Sequence, residues 1–321
     1  MKYVEINIIL FLYYIGTFML KYKYYWILRG NMEKKSKLML ISAVLMFGTI
    51  GIFRRYTDIS SSILAMVRGF IGSLFLVGVM LCKKQKFSLG KSKKDLILLC
   101  ISGMAIGFNW ILLFEAYLYT SVAVATLCYY MAPIFVLAAS PLVGEKLTLK
   151  KIFCIVAALI GMVFVSGVLQ TGLDGITGAL LALGAAALYA SDIMINKKVI
   201  HVPAYDRTVV QLFVAALVVV PYVILTEDVG HALATADTLS VILMIVMGVL
   251  HTGVAYALYF GSMEKLKVQT VALYSYIDPI TAIILSAIIF KENIGWTGIV
   301  GMVLILGSTI ISELSDKAVK E

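Results

Sequence analysis

The sequence predicts an all-α polytopic membrane protein of ten transmembrane helices, built as two inverted five-helix repeats, with a further hydrophobic segment at the N-terminus. Three observations carry this reading. Hydrophobic residues make up 61% of the 321-residue chain and charged residues 14%, with a mean hydropathy of +0.99. A soluble domain runs nearer half apolar and a quarter charged. The apolar sequence is divided into runs of about 18–25 residues, the length that crosses a hydrocarbon core at ~1.5 Å per residue. Finally, residues 110–146 and 256–293 repeat one proline-centred pattern. With Pro133 laid on Pro279, Phe114 falls on Phe260, Val122 on Val268, Leu127 on Leu273 and Tyr130 on Tyr276, and a one-residue slip brings Glu145 onto Glu292.

Residues 1–31 stand outside the core. VEINIILFLYYIGTFML is apolar but carries Glu5 and Asn7, and the basic, aromatic KYKYYWILRG follows it. It reads as a short eleventh span, an interfacial anchor, or sequence upstream of the natural start at Met32. It is not a signal peptide, because its basic region follows the apolar stretch. The core spans are placed at about 38–56, 59–82, 96–119, 121–144, 150–169, 175–196, 205–225, 238–261, 266–290 and 295–314. Lipid cannot satisfy stray backbone groups, so each must be a helix. Between the third and fourth only Tyr119, Thr120 and Ser121 break the apolar run, which requires a tight hairpin. The expected division is residues 1–31, a first repeat over 32–170, and a second over 171–321 with a short tail.

Charge sets orientation. If residues 33–37 are cytoplasmic, that side collects nineteen lysines and arginines, and the other side only Arg54, Arg55 and Lys291. Such a bias places both ends of the core inside, in the plasma membrane. The net charge of +9 therefore reads as topology and not as nucleic-acid binding. Cys82, Cys100, Cys128 and Cys154 show no paired spacing, which leaves no disulfide framework or zinc site. Five helices per half is an odd number, so the second half enters the membrane from the opposite side. Carriers built this way bind substrate near mid-membrane, between the halves.

The chain resembles ten-helix transporters of the EamA type, in the drug/metabolite transporter superfamily. The resemblance rests on Ala65-Met-Val-Arg68-Gly-Phe, Phe114-Glu-Ala-Tyr117 with TSVAVAT, Pro133 followed by Leu142-Val-Gly-Glu145-Lys-Leu-Thr148, then Pro279, Glu292, Gly298 and Gly301. It covers residues 36–314, and the second half departs from it in carrying Phe290-Lys-Glu-Asn-Ile where the first has Gly-Glu-x-Leu-Thr. The resemblance implies a secondary carrier of small metabolites such as amino acids, frequently an exporter.

An ionisable group inside the bilayer costs at least ~2.5–3.5 kcal/mol, so each needs a reason. Arg68 lies about ten residues into the second span, as a structural cation or as the partner of a substrate carboxylate, whose shape the guanidinium fork matches. Asp278 precedes Pro279 where the missing N–H frees a carbonyl; it binds an amine, pairs with Arg68 or carries a coupling proton. Ala132 fills the matching place in the first copy. His251 is an interhelical bond or a proton relay. Glu115 and Asp192, each about a turn from a span end, read as solvated acids, with Glu115 also a proton-coupling candidate. Asn109, Trp110 and Gln211 are pocket candidates, and Tyr129, Tyr130, Tyr274 and Tyr276 flank the prolines as a candidate lining. Pro133 and Pro279 are the expected hinges. Gly103-x-x-x-Gly107 and Gly298/Gly301 read as close helix contacts.

The expected function is alternating-access transport, secondary-active or facilitative, of a small polar metabolite such as an amino acid, with export favoured. Substrate residues are Arg68, Asn109, Trp110, Tyr130, Tyr276 and Asp278, and proton-coupling candidates are Asp278, His251 and Glu115. No G-x-x-x-x-G-K-[ST] motif is present, so ATP is not the direct energy source. No cofactor or metal is expected; the partners are the substrate and the lipid bilayer, with a homodimer left open. The alternative is a flippase for a lipid-linked or amphipathic metabolite. An intramembrane enzyme is remote, since H-E-x-x-H and clustered aspartates are absent.

Overall fold

The computed structural model describes residues 32–85, 87–88, 92–139, 141, 148–165, 176–196, 198–199, 201–263, 266, 271, 274–292 and 295–318. The N-terminal segment, Glu145, Val268 and Leu273 lie outside the described residues. Helices account for almost everything described, and no strand occurs among these residues. In chain order they are α1 (Met32–Arg55), α2 (Ser61–Cys82), α3 (Lys93–Tyr119), α4 (Val122–Tyr129), α5 (Ala132–Ala138), α6 (Leu149–Val165), α7 (Ile176–Asn196), α8 (Ala204–Thr226), α9 (Val229–Thr235), α10 (Thr238–Val246), a π-helix (Met247–Val254), α11 (Ala255–Met263), α12 (Ile277–Ile289) and α13 (Trp296–Ala318).

Among the described residues six stretches are long and apolar enough to cross a membrane: Glu33–Arg55, Ser61–Cys82, Lys93–Tyr119, Ile176–Asn196, Ala204–Thr226 and Thr238–Ser262. Shorter apolar helices, Val122–Ala138, Ile277–Ile289 and Trp296–Ile311, lie where the sequence places further spans. The molecular exterior is apolar, with Leu81 72% and Leu225 84% exposed, while the interior holds Arg68, Asn109, Asp192, Gln211 and His251. That inversion suits a solvent of hydrocarbon.

Local chemistry sets the element ends. Ser60 accepts from the Ile63 amide at 3.4 Å and Ser121 from the Val124 amide at 3.0 Å, so α2 and α4 start on side-chain caps. Ser121 thereby makes the tight turn between α3 and α4. The expected continuous helix around Pro133 is corrected: α4 ends at Tyr129, and α5 starts at Ala132 with Pro133 in its opening positions. Likewise Pro279 sits in the first turn of α12, behind a turn at Tyr276, rather than halfway along a longer helix. Proline fits a first turn because the N–H it lacks has no intrahelical acceptor there.

Between helices in lipid, close packing replaces the hydrophobic effect, and small residues allow it. The Ala179, Ala182, Ala185, Ala186 and Ala190 face of α7 lies buried along α3. A Cβ at Gly103 would stand 2.9 Å from the Gln211 carbonyl and one at Gly107 2.9 Å from the Ala215 carbonyl, so α8 presses directly on α3. At the periphery α6 and α13 meet where a Cβ on Gly161 would stand 2.8 Å from the Gly301 carbonyl. The expected contact roles of Gly103, Gly107 and Gly301 hold.

Candidate functional site

The centre of the molecule gathers α1, α2, α3, α4, α7, the π-helix, α11 and α12. Arg68 is 3% exposed on α2. Its guanidinium lies 4.1 Å above the Trp110 ring and 5.2 Å from the Phe114 ring, and Nε donates to Thr252 Oγ1 at 3.0 Å. A desolvated cation–π contact contributes ~2 kcal/mol or more, and a hydrogen bond from a charged donor about 1.5–3. Together they offset the ~2.5–3.5 kcal/mol insertion cost without a carboxylate partner. Among the described residues no acceptor bonds to Nη1 or Nη2, and no acid lies within 4 Å. The pairing of Arg68 with Asp278 considered from sequence is therefore not made.

Thr252 was missed in the sequence, and the π-helix explains it. The wider turn lets the Thr252 hydroxyl donate to the Met247 carbonyl at 3.1 Å while accepting from Arg68. Gly72 of α2 lies directly against the Thr252 methyl, where a larger residue would collide. Such π segments recur at functional sites.

Asp278 opens α12, where a carboxylate benefits from the positive end of the helix. The Tyr130 hydroxyl reaches Asp278 Oδ2 at 2.9 Å and the Ser275 carbonyl at 3.1 Å. The Tyr130 and Tyr276 rings stand 6.5 Å apart, so the two repeat-related tyrosines do meet. Gly48 of α1 allows this packing, because a Cβ there would be 2.6 Å from the Asp278 carbonyl. Asp278 remains half-buried, with accessible surface deep in the bundle. Tyr117, Tyr129 and Tyr256 each lie within electrostatic reach of both Arg68 and Asp278. The cation and the carboxylate thus share one tyrosine-lined region.

Asn109 shapes that space without opening onto it. It is 2% exposed, its Nδ2 donates to the Ala185 carbonyl at 2.5 Å, and its Oδ1 accepts from Tyr129 at 3.5 Å. Tyr129 then stacks on Tyr189 at 5.5 Å. Tyr274 falls outside the lining, packed with Leu40, Val44 and Val271.

His251 bolts the π-helix to α1. Its Nε2 lies 2.7 Å from Thr49 Oγ1, whose one hydrogen goes to the Met46 carbonyl at 2.7 Å. With the Thr49 hydrogen so directed, Nε2 is the donor in this pair. Phe53 packs edge-on at 4.7 Å.

Glu115 is half-buried near the Arg54 charge, among the groups at the ends of α1 and α3. Asp192 corrects the expectation of a solvated acid: it is 7% exposed and hydrogen-bonded to Ser102, Asn196 and Gln211. Gln211 belongs to that cluster, not to the tyrosine-lined space.

Comparison with known proteins bears on the family and the fold. The model of the EamA-like transporter family matches residues 34–167 and again 176–313. The chain is 29% identical over 282 residues to the uncharacterized transporter YxxF of Bacillus subtilis strain 168, covering 85% of this chain and 88% of that one. It is 26% identical over 274 residues to an uncharacterized transporter of Archaeoglobus fulgidus, covering 85% and 94%. A crystal structure, 17% identical with a TM-score of 0.62, covers 87% of this chain and 97% of its own, and shares the fold. With two family repeats spanning most of a polytopic helical membrane protein, the chain belongs to the EamA-like transporter family.

Proposed function

We propose that this transporter carries a small zwitterionic metabolite of the amino-acid class by alternating access, most often outward. The observation that carries the reading is that Arg68 and Asp278 do not pair with each other yet lie near the same three tyrosines. Each lies in a different repeat. Arg68 offers two nitrogens to a carboxylate, and Asp278 offers an oxygen to an amine, with Tyr130 and Tyr276 beside it. Bound together they would neutralise each other's charge through the substrate, which a site in low dielectric rewards. Asp278 is also the residue placed to take a coupling proton when no amine is present.

The scaffold in this reading has ten crossings in two inverted repeats, with both core ends cytoplasmic in the plasma membrane. Pro133 and Pro279 follow the helix breaks that let each half re-orient around the site. The test is flux in proteoliposomes across a panel of radiolabelled amino acids, with and without a pH gradient. At least one zwitterion should be carried, and Arg68→Ala and Asp278→Asn should each lower its flux by ~100-fold or more while the protein still inserts and purifies as a single species. Normal flux in both variants, or transport of a lipid-linked substrate alone, rejects the reading.

A further inference from the structure

Away from the tyrosine-lined region, a groove of about 440 Å³ opens on the molecular exterior between α6 and α13. Its shape follows from side-chain size. Cys154, Ala157 and Ser308 make a floor of small residues, and the exposed Leu149, Phe153 and Ile311 stand beside it as rims. The Ser308 hydroxyl donates to the Leu304 carbonyl of its own helix, so its hydrogen is taken up within α13. At the far end the two helices close on each other, because a Cβ on Gly161 would stand 2.8 Å from the Gly301 carbonyl. From Leu149 to that contact at Gly161 the rise of ~1.5 Å per residue gives roughly 18 Å. One leaflet contributes about half of the ~30 Å hydrocarbon core, so the groove has the reach of one acyl chain.

The open end of the groove carries positive charge. Lys150 lines it there, exposed and within electrostatic reach of the Cys154 thiol on the floor. Among the described residues no acid lies within 4 Å of its amine. Glu313 and Asp316, the acids that follow on α13, come after the residues that line the groove. The same end is the N-terminus of the 17-residue α6, the positive end of the helix. We propose that this groove binds one anionic phospholipid, its acyl chain along the Cys154, Ala157 and Ser308 floor and its phosphate at Lys150.

The inference rests on the reading of α6 and α13 as spans that face lipid, and it is independent of the substrate. A chain that moves from the bilayer into the groove leaves one apolar surrounding for another, so no hydrophobic gain selects it. Shape fixes where the chain lies, and the head group decides which lipid stays. A lysine beside a helix N-terminus prefers a head group of net negative charge over a zwitterionic one, whose own amine cancels the phosphate. In the orientation set by loop charge, the mouth opens on the cytoplasmic leaflet, where a basic pocket between helices suits anionic lipids.

The test titrates the full-length purified protein, in micelles containing phosphatidylcholine, with palmitoyl-oleoyl phosphatidylglycerol. Further phosphatidylcholine and free glycerol 1-phosphate are the controls. A saturable rise in the thermal unfolding midpoint and one phosphatidylglycerol retained per chain in native mass spectrometry are expected, with neither produced by the controls. Lys150→Gln should weaken the lipid's binding on the order of fivefold, which corresponds to the ~1 kcal/mol of one lysine near an anionic head group. Ala157→Leu fills the floor and keeps Lys150, and it should lose the retained lipid. Lys198→Gln, an exposed lysine that does not line the groove, and Arg68→Ala at the centre should both keep the response. Equal retention of both lipids, unchanged affinity in Lys150→Gln, or an equal response to glycerol 1-phosphate rejects the site. A dimer in phosphatidylcholine that Ala157→Leu abolishes would assign the face to a second copy and reject it too. Should Ala157→Leu fail to fold, Lys150→Gln and the wild-type titration still decide.

Discussion

Arg54 and Arg55 lie at one end of this transporter and Arg68 in its middle, and the two regions treat them differently. At the ends of α1 and α3 each arginine makes several polar contacts. Arg54 donates to the Thr57 carbonyl at 3.0 Å and to Ser61 at 2.9 Å. Arg55 donates to the Tyr117 and Thr120 carbonyls at 2.8 and 2.7 Å, lies 3.4 Å from Glu292 and covers the Phe290 ring. Glu292 in turn accepts from the Val122 amide at 3.2 Å, and Ser62 donates to Glu227 at 2.6 Å. This end is a polar seam joining the first repeat to the second. In the middle, Arg68 is held by an aromatic face and one hydroxyl, and Asp278 by one tyrosine. The seam uses its charges to hold helix ends together, with Arg54 Nε and Glu292 Oε2 left over, whereas the centre keeps a cation and an acid unpaired with each other. A buried charge with unused hydrogen-bonding capacity is costly unless a ligand completes it.

Several substitutions break or sharpen that contrast. The largest effect is expected at the centre, where Arg68→Ala or Asp278→Asn should lower flux by ~100-fold or more, equivalent to about 2.7 kcal/mol. Uptake assays at matched protein density check this. Thr252→Val should come next. It keeps the shape against Gly72 but removes the Arg68 acceptor, so half-saturation by a carboxylate substrate should rise about tenfold, or ~1.4 kcal/mol. Thr252→Ser should restore it. At the seam the effect should reverse in kind. Arg55→Gln and Glu292→Gln should lower the thermal unfolding midpoint by a few degrees, as loss of ~1 kcal/mol does in a chain this long, while flux per folded molecule survives.

The smallest effect is a pH dependence at Asp237, an exposed acid outside the spanning segments. Hydrogen bonds from the Ser240 side chain and backbone hold its carboxyl below the ordinary aspartate value. A folded value below the unfolded one means the stabilisation is complete above pH ~4 and is lost as pH falls through the folded value. Acid scans of the unfolding midpoint should therefore lose this increment in wild type, and Asp237→Asn should flatten it.

Hydropathy and loop charge were enough to place the apolar runs, and the duplicated proline pattern pointed to both repeats. Arg68 and Asp278 were visible because charge inside an apolar run is conspicuous. What escaped depends on contacts between distant positions. Thr252 matters through Arg68, 184 residues away, and His251 is fixed by Thr49 across 202 residues. A π-turn has no composition that marks it, so Met247–Val254 read as ordinary helix. The breaks before Pro133 and Pro279 were read as bends within longer helices because flanking residues stay apolar through them. Asp192 looked solvated because its depth was judged from its own helix, whereas Ser102 and Gln211 enclose it from two others.

The central claim is that one substrate bridges Arg68 and Asp278. It is tested most directly by proteoliposome flux of a carried amino acid beside its carboxamide, which lacks the carboxylate, and its deaminated acid, which lacks the amine. The account predicts that wild-type protein carries the zwitterion and discriminates strongly against both analogues. It also predicts that Arg68→Ala loses discrimination against the carboxamide and Asp278→Asn against the deaminated acid. Equal transport of all three compounds by the wild-type protein would contradict it.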